Sequence, residues 1–221
     1  MAVAFVKHVG SGTSSMATTT AVTVPAAGVA SGTFCSLRID LNVRGTTTVA
    51  DTQGNTWTER QQQDYGSASR VHVFDCAVGT TLASGNAITA THSKGDGASA
   101  VDQWSGVGAF VIDASATGTS TTPSSGAITT GADSLVLGVV ADAGAVRTED
   151  ADSDGGASWT TLTAVADELY AAYKIPTSGV SQTYNPTLDT SVAWAAVIAE
   201  WAATADPRVP RFTPYPQLLA H

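Results

Sequence analysis

Residues Phe34–Leu41 alternate apolar Cys35, Leu37, Ile39 and Leu41 with polar Ser36, Arg38 and Asp40. A period of two places the two sets on opposite faces of an extended chain, which is the signature of a half-buried β-strand. Strand-like segments recur along the sequence: Val3–Val9, Thr18–Val24, Thr46–Ala50, Thr56–Gln63, Ser69–Ala77, Ala87–His92, Ala98–Trp104 and Phe110–Ile112. They continue with Ser134–Ala141, Ser158–Ala164, Glu168–Ile175, Gln182–Leu188 and Val192–Trp201. Turn formers separate them, as in the Gly10–Ser15 loop. The last segment is ambiguous because its alanines favour helix. Trp194, Val197 and Trp201 give only a sparse helical stripe and no capping box precedes them, so a strand is expected there too.

The two halves share a plan. In the first, Phe34–Leu41 precedes an Asp/Gly turn ending in Trp57, and the set closes with Trp104. In the second, Leu135–Val140 precedes an Asp/Gly turn ending in Trp159, and the set closes with Trp201. A Gly/Ser/Thr/Pro-rich connector, Ala114–Gly126, lies between them. Two pseudo-repeated sets of strands suit two face-packed sheets. The expected fold is all-β: an antiparallel β-sandwich, jelly-roll-like, over residues 1–204, with an extended C-terminal arm over 205–221. Two tandem β domains split near the connector are the alternative. A chain of 221 residues fits one large β domain.

Only 13% of residues are charged, against about 25% in an average globular domain. That suits a surface partly covered by neighbours. The net charge of −9 repels phosphate backbones, and there is no basic stripe, so nucleic acid is not an expected partner. No run approaches the ~20 apolar residues of a membrane helix. The first residues lack a basic region followed by a long apolar one, so assembly in the cytosol is expected. Cys35 and Cys76 read as buried free thiols; a bridge would need their two strands side by side.

Asp150-Ala-Asp-Ser-Asp-Gly155 places three carboxylates at alternate positions before a glycine, as a calcium loop does. The twelfth position of that loop is Thr161 rather than the required Glu, and no helices flank it. A solvated acidic turn is expected, with no metal. Asp51-Thr-Gln-Gly-Asn-Thr-Trp57 reads as a tight turn in which Asp51 bonds the backbone two residues on. Gly54 and Asn55 there are expected to accept positive φ, and Trp57 to plug the core or a sheet edge. Five tryptophans (Trp57, Trp104, Trp159, Trp194, Trp201) are expected to close the core rather than stack on sugars. There is no G-x-S-x-G elbow, H-E-x-x-H, phosphate loop or dinucleotide fingerprint, and His8, His72, His92 and His221 stand far apart. Neither an enzyme nor a cofactor is expected.

The last fifteen residues, Pro207–His221, hold four of the eight prolines, two arginines and no acid. Pro207, Pro210, Pro214 and Pro216 fix φ and remove backbone donors, which predicts an extended, semi-rigid arm. Val209, Phe212, Tyr215, Leu218 and Leu219 supply apolar anchors, and Arg208 and Arg211 supply cations. Fully extended, such an arm spans on the order of 45 Å. These eleven residues form the candidate assembly interface.

Together, the two-half β pattern with Asp51–Trp57, the Gly/Ala/Thr-rich low-charge composition and the arm resemble the β-sandwich virion proteins of tailed bacteriophages. These are head-decoration proteins and minor tail or fibre proteins. The resemblance implies a non-enzymatic role: binding the outside of a capsid lattice of major capsid protein, often as a trimer, and stabilising it. It also implies location in the virion after assembly in the host cytoplasm. A tail or fibre protein contacting the host is the alternative within that class. A glycan-binding β-sandwich module is the rival outside it, resting on an exposed aromatic pair, whereas host-sugar binding by the tail or fibre protein would rest on loops such as Asp64–Ser69 or Ser93–Gly97.

Overall fold

The expected strands pair into two antiparallel sheets that face one another; the structure, a computed structural model, describes residues 1–204. The first half supplies β1 (Ala4–Thr23), β2 (Phe34–Leu41), β3 (Thr48–Asp51), β4 (Thr58–Tyr65), β5 (Ser69–Ala77) and β6 (Ala87–Ser105). They form one sheet in the order β1-β6-β2-β5-β4, with β3 paired to the first part of β6. The second half supplies β7 (Val107–Ser120), β8 (Ala127–Thr129), β9 (Leu135–Asp142), β10 (Arg147–Thr148) and β11 (Thr160–Thr161). It continues with β12 (Leu169–Lys174), β13 (Ser181–Thr183), β14 (Thr187–Leu188) and β15 (Val192–Ala203). Its main sheet runs β11-β12-β9-β15-β7, and β8–β13 and β10–β14 form two small ladders. No α-helix occurs among the described residues.

Each main sheet places the opening strand of its half at one edge, beside the closing strand of that half. The strands do not alternate between sheets as a jelly roll requires: the chain completes one sheet at Ser105 and turns at Gly106 into the other. Gly106 has φ of 70°, and a Cβ there would run into the Ala2 carbonyl, so the turn requires glycine. The connector expected at Ala114–Gly126 is, as far as Ser120, part of β7, paired along β15 from Val192↔Ser120 to Ala203↔Val107. Its small residues permit close packing, since a Cβ on Gly118 would meet the Trp194 indole at 2.7 Å. The Gly10–Ser15 loop is likewise strand. β1 continues through it with bulges, bends at Met16 (φ 48°) and returns along the first part of β6. Gly12 faces that return so closely that a Cβ would strike the Ala21 carbonyl.

Three apolar clusters result. The central one lies between the sheets and joins Val71, Val73, Ala100 and Trp104 to Leu137, Val139, Val197 and Trp201. A second fills the outer face of the first sheet, with Leu37, Ile39, Leu41 and Phe74 under the return of β1. The third, on the outer face of the second sheet, holds Val136, Val140, Tyr184 and Trp194. Both β2 and β9 are therefore buried along their entire length. This corrects the reading of Phe34–Leu41 as half-buried: Ser36, Arg38 and Asp40 face the other sheet, not water. It also explains the alanines of β15. Ala195 and Ala199 face the central cluster and Ala196 the third, so the strand is buried on both sides and small residues let both layers approach.

The Asp51 turn forms as expected at its centre. Asp51 Oδ1 accepts from the amides of Gln53 (2.9 Å) and Asn55 (3.2 Å), and Oδ2 accepts from Trp57 Nε1 (2.9 Å). Gly54 has φ of 74°, but Asn55 does not take positive φ. Its side-chain oxygen instead accepts from the amides of Gly79 and Thr80, tying the turn to the next loop. Cys35 and Cys76 are direct register partners on β2 and β5, both buried and both free. Burial pushes both thiols well above their ordinary value.

Gly138 on β9 tests the packing of the third cluster. Any Cβ there would penetrate the fully buried ring of Tyr184. Gly138→Ala is expected to lower stability by about 1–3 kcal/mol, the usual cost of overpacking, as read by chemical denaturation. An unchanged unfolding midpoint would show that the ring does not sit over β9 as described.

Candidate functional site

The arm residues Pro207, Arg208, Val209, Pro210, Arg211, Phe212, Pro214, Tyr215, Pro216, Leu218 and Leu219 lie outside the described residues. What is described is the place from which they depart. Thr204 donates its amide to the Gly106 carbonyl (2.8 Å) and its hydroxyl to the same oxygen (3.2 Å). The Met1 ammonium donates to the Thr204 carbonyl at 3.2 Å. The segment 205–221 thus starts from a fixed point at the β6–β7 turn, where residue 1 also sits.

Beside that point a cleft of about 600 Å³ opens between the sheets, lined by Phe34, Thr58, Arg60, Asp75, Val107 and Phe110 among others. Its floor is an ion pair. Arg60 donates from Nε (2.7 Å) and Nη2 (3.0 Å) to the two oxygens of Asp75, which is buried and also accepts from Trp201 Nε1. The guanidinium lies 5.0 Å from the centre of the Phe110 ring, and Phe34 and Phe110 both meet Trp201 edge-on. A fork-to-fork pair stacked on an aromatic ring is held rigidly on three sides. With both Asp75 oxygens engaged, the cleft presents aromatic carbon, threonine hydroxyls and the rim of one guanidinium.

From this cleft a seam of buried polar groups runs across the sheet-to-sheet interface. Arg38 pairs with Asp102, both essentially without solvent contact, and donates from Nη2 to the Thr163 carbonyl of the second half (2.6 Å). Burial alone would raise the Asp102 carboxyl, but Arg38 and His8 outweigh it and hold it below the ordinary range. Asp40 meets no cation among the described residues. The Tyr65 hydroxyl lies 2.8 and 2.9 Å from its two oxygens, and burial pushes its pKa from 3.8 to about 8. Asp142, on the outer face of the second sheet where its Oδ1 accepts from the Gly144 and Ala145 amides, is pushed by burial to about 6. Neither acid is flagged in the sequence by a motif; each is the single carboxylate of its strand.

The acidic loop is organised around an internal ammonium. Lys174, fully buried, pairs with Asp152 and donates to Gln182 Oε1 (2.9 Å), with its Nζ 4.9 Å from the centre of the Trp159 ring. Asp150 accepts from the amides of Asp152 and Asn185. Asp152 and Asp150 are thereby engaged by a lysine and by backbone, while Asp154 stays exposed, and no group of three metal-binding side chains occurs among the described residues. The expectation of a solvated turn is corrected in part, since the loop packs onto Lys174. Trp104, Trp159, Trp194 and Trp201 are buried and Trp57 is half-buried, so none of them forms an exposed sugar platform. Of the two loops considered for glycans, Ser93–Gly97 is part of β6, and in Asp64–Ser69 Tyr65 is buried against Asp40.

Comparison with protein-family models, with curated proteins and with solved structures finds no match.

The raised pKa of Asp40 has a definite sign in stability. At pH values between about 4 and 8 the unfolded chain carries an ionised Asp40 while the folded chain keeps the proton, so folding takes up a proton. The contribution is complete below about pH 4 and is lost as pH rises through about 8. Asp40→Asn, which cannot ionise, is expected to flatten the fall in unfolding free energy over that range, measured by urea titrations at successive pH values. An identical pH slope in the variant would show that Asp40 ionises freely in the fold.

Proposed function

We propose that this chain is a structural virion protein, a decoration protein that binds the outer surface of a phage capsid through Pro207–Leu219. One observation carries the reading. Phe212, Tyr215, Leu218 and Leu219 follow the strands on a proline-punctuated segment without acids. Apolar groups on a stiff segment lose little entropy on docking to another surface. The fixed departure point at Thr204 supports it, because an anchored origin limits the directions in which a following segment can search. The low charge density supports it as well. Repetition over a symmetric lattice would add many weak attachments into a firm one, and a trimer of the chain would present three arms to one lattice site.

Removing Pro207–His221 is expected to leave a folded sandwich that no longer joins particles, followed by co-sedimentation with capsids. Retained binding would overturn the role of the arm. Replacing Phe212 and Tyr215 together with Ala is expected to weaken attachment more than Arg208→Ala; equal losses would point to an electrostatic dock. Copy number in purified particles, relative to the major capsid protein, separates a decoration protein (comparable numbers) from a tail component (a handful). Absence from particles would overturn the virion reading.

A further inference from the structure

We propose that Ser11 is an activated nucleophile that accepts acyl groups from small, unhindered esters, with His8 as its general base and Asp102 as the residue that positions His8. The proposal is independent of the assembly reading and rests on a chain of three contacts. Ser11 Oγ lies 3.1 Å from His8 Nε2, and His8 Nδ1 lies 2.9 Å from Asp102 Oδ1. Asp102 has no solvent exposure, and its other oxygen is held by Arg38, so the carboxylate is fixed in position and charge. A carboxylate can only accept. Neutral His8 therefore places its proton on Nδ1 and leaves Nε2 to accept from the Ser11 hydroxyl. Nucleophile, base and orienting acid at these separations are the arrangement that activates a serine on unrelated folds.

Local backbone explains how strands deliver it. The bulge in β1 between His8 and Gly10 shifts the register against β6, bringing residues three apart within reach along one strand. Gly12 lies so close to the returning half of β1 that a side chain has no room on that side, whereas Ser11 is exposed. Asp102 arrives from β6 as the register partner of His8. The sequence shows no serine-hydrolase elbow because the three residues meet through strand pairing, not through a local motif.

In the step proposed, Ser11 Oγ bonds to the ester carbonyl carbon as its proton passes to His8 Nε2. The bond from that carbon to the alcohol oxygen then breaks, and the alcohol leaves with the proton from His8. Water, deprotonated by His8, attacks the acyl-serine, releasing the carboxylic acid and restoring the Ser11 hydroxyl. The surroundings of Ser11 are open, which limits the substrate class to small activated acyl donors rather than long chains selected by a pocket.

The test uses the full-length chain and p-nitrophenyl acetate. The wild type is expected to release nitrophenol at least about a hundredfold faster than Ser11→Ala, within the range a positioned base supplies. His8→Gln is expected to fall to the same level, and peptide mass spectrometry to find acetate on Ser11. Ser11 is a surface residue, so Ser11→Ala is expected to keep the wild-type circular dichroism spectrum. Equal rates in wild type and Ser11→Ala, or acetate on His8 or lysines but not Ser11, would overturn the proposal. Loss in His8→Gln with full rate in Ser11→Ala would do the same, since it would show an imidazole acting alone.

Discussion

The Arg38–Asp102 pair is the interaction on which the arrangement of the two sheets turns. It sits where the polar face of β2 meets the second sheet, and Arg38 spans the gap to the Thr163 carbonyl. Taking two charges out of water costs several kcal/mol per ion, so the pair is stable only if its geometry is good and its other hydrogen-bonding positions are filled. Here Asp102 is also met by His8, and Arg38 by a carbonyl, although Arg38 Nε meets no partner among the described residues. Removing either partner would strand a buried charge. The interface is therefore specified by polar matching as well as by apolar area, and a shifted packing of the sheets would leave these groups unpaired.

The same seam joins the features that carry chemistry. At one end, Arg60 and Asp75 form the floor of the cleft next to Thr204, and Trp201 from the second sheet completes Asp75. Toward the β1 edge, Asp102 holds His8, which reaches Ser11. Asp40, four residues further along β2 than Ser36, is met by a hydroxyl and by no cation among the described residues, and burial pushes its carboxyl up to about 8. An interior that must hold charge at some positions and exclude it at others depends on a fixed register, which is why β2 pairs along its full length with both neighbours.

Much of the fold was legible because period two is a local property. Phe34–Leu41, Ser69–Ala77 and Leu135–Val140 alternate or run apolar in a way that only extended chain accommodates, and Asp51–Trp57 carries its turn in its own side chains. The misreadings have one cause. Gly10–Ser15 and Ala114–Gly126 look like loops by composition, yet become strand because β6 and β15 offer them partners far away in sequence. Glycine and serine are weak strand formers alone and adequate ones when a neighbouring strand fills their backbone hydrogen bonds.

The sequence by itself determined the β character, the turn at Asp51, the low charge and the proline-spaced apolar run after Thr204, since each depends on residues within a few positions of one another. Tertiary structure alone decided that the polar face of β2 is interior and that Lys174 occupies the acidic loop. It also decided that Arg60 meets Asp75 in a cleft and that Ser11, His8 and Asp102 form a chain of contacts. Those outcomes join residues up to 125 positions apart, and nothing local encodes which strand will lie beside which.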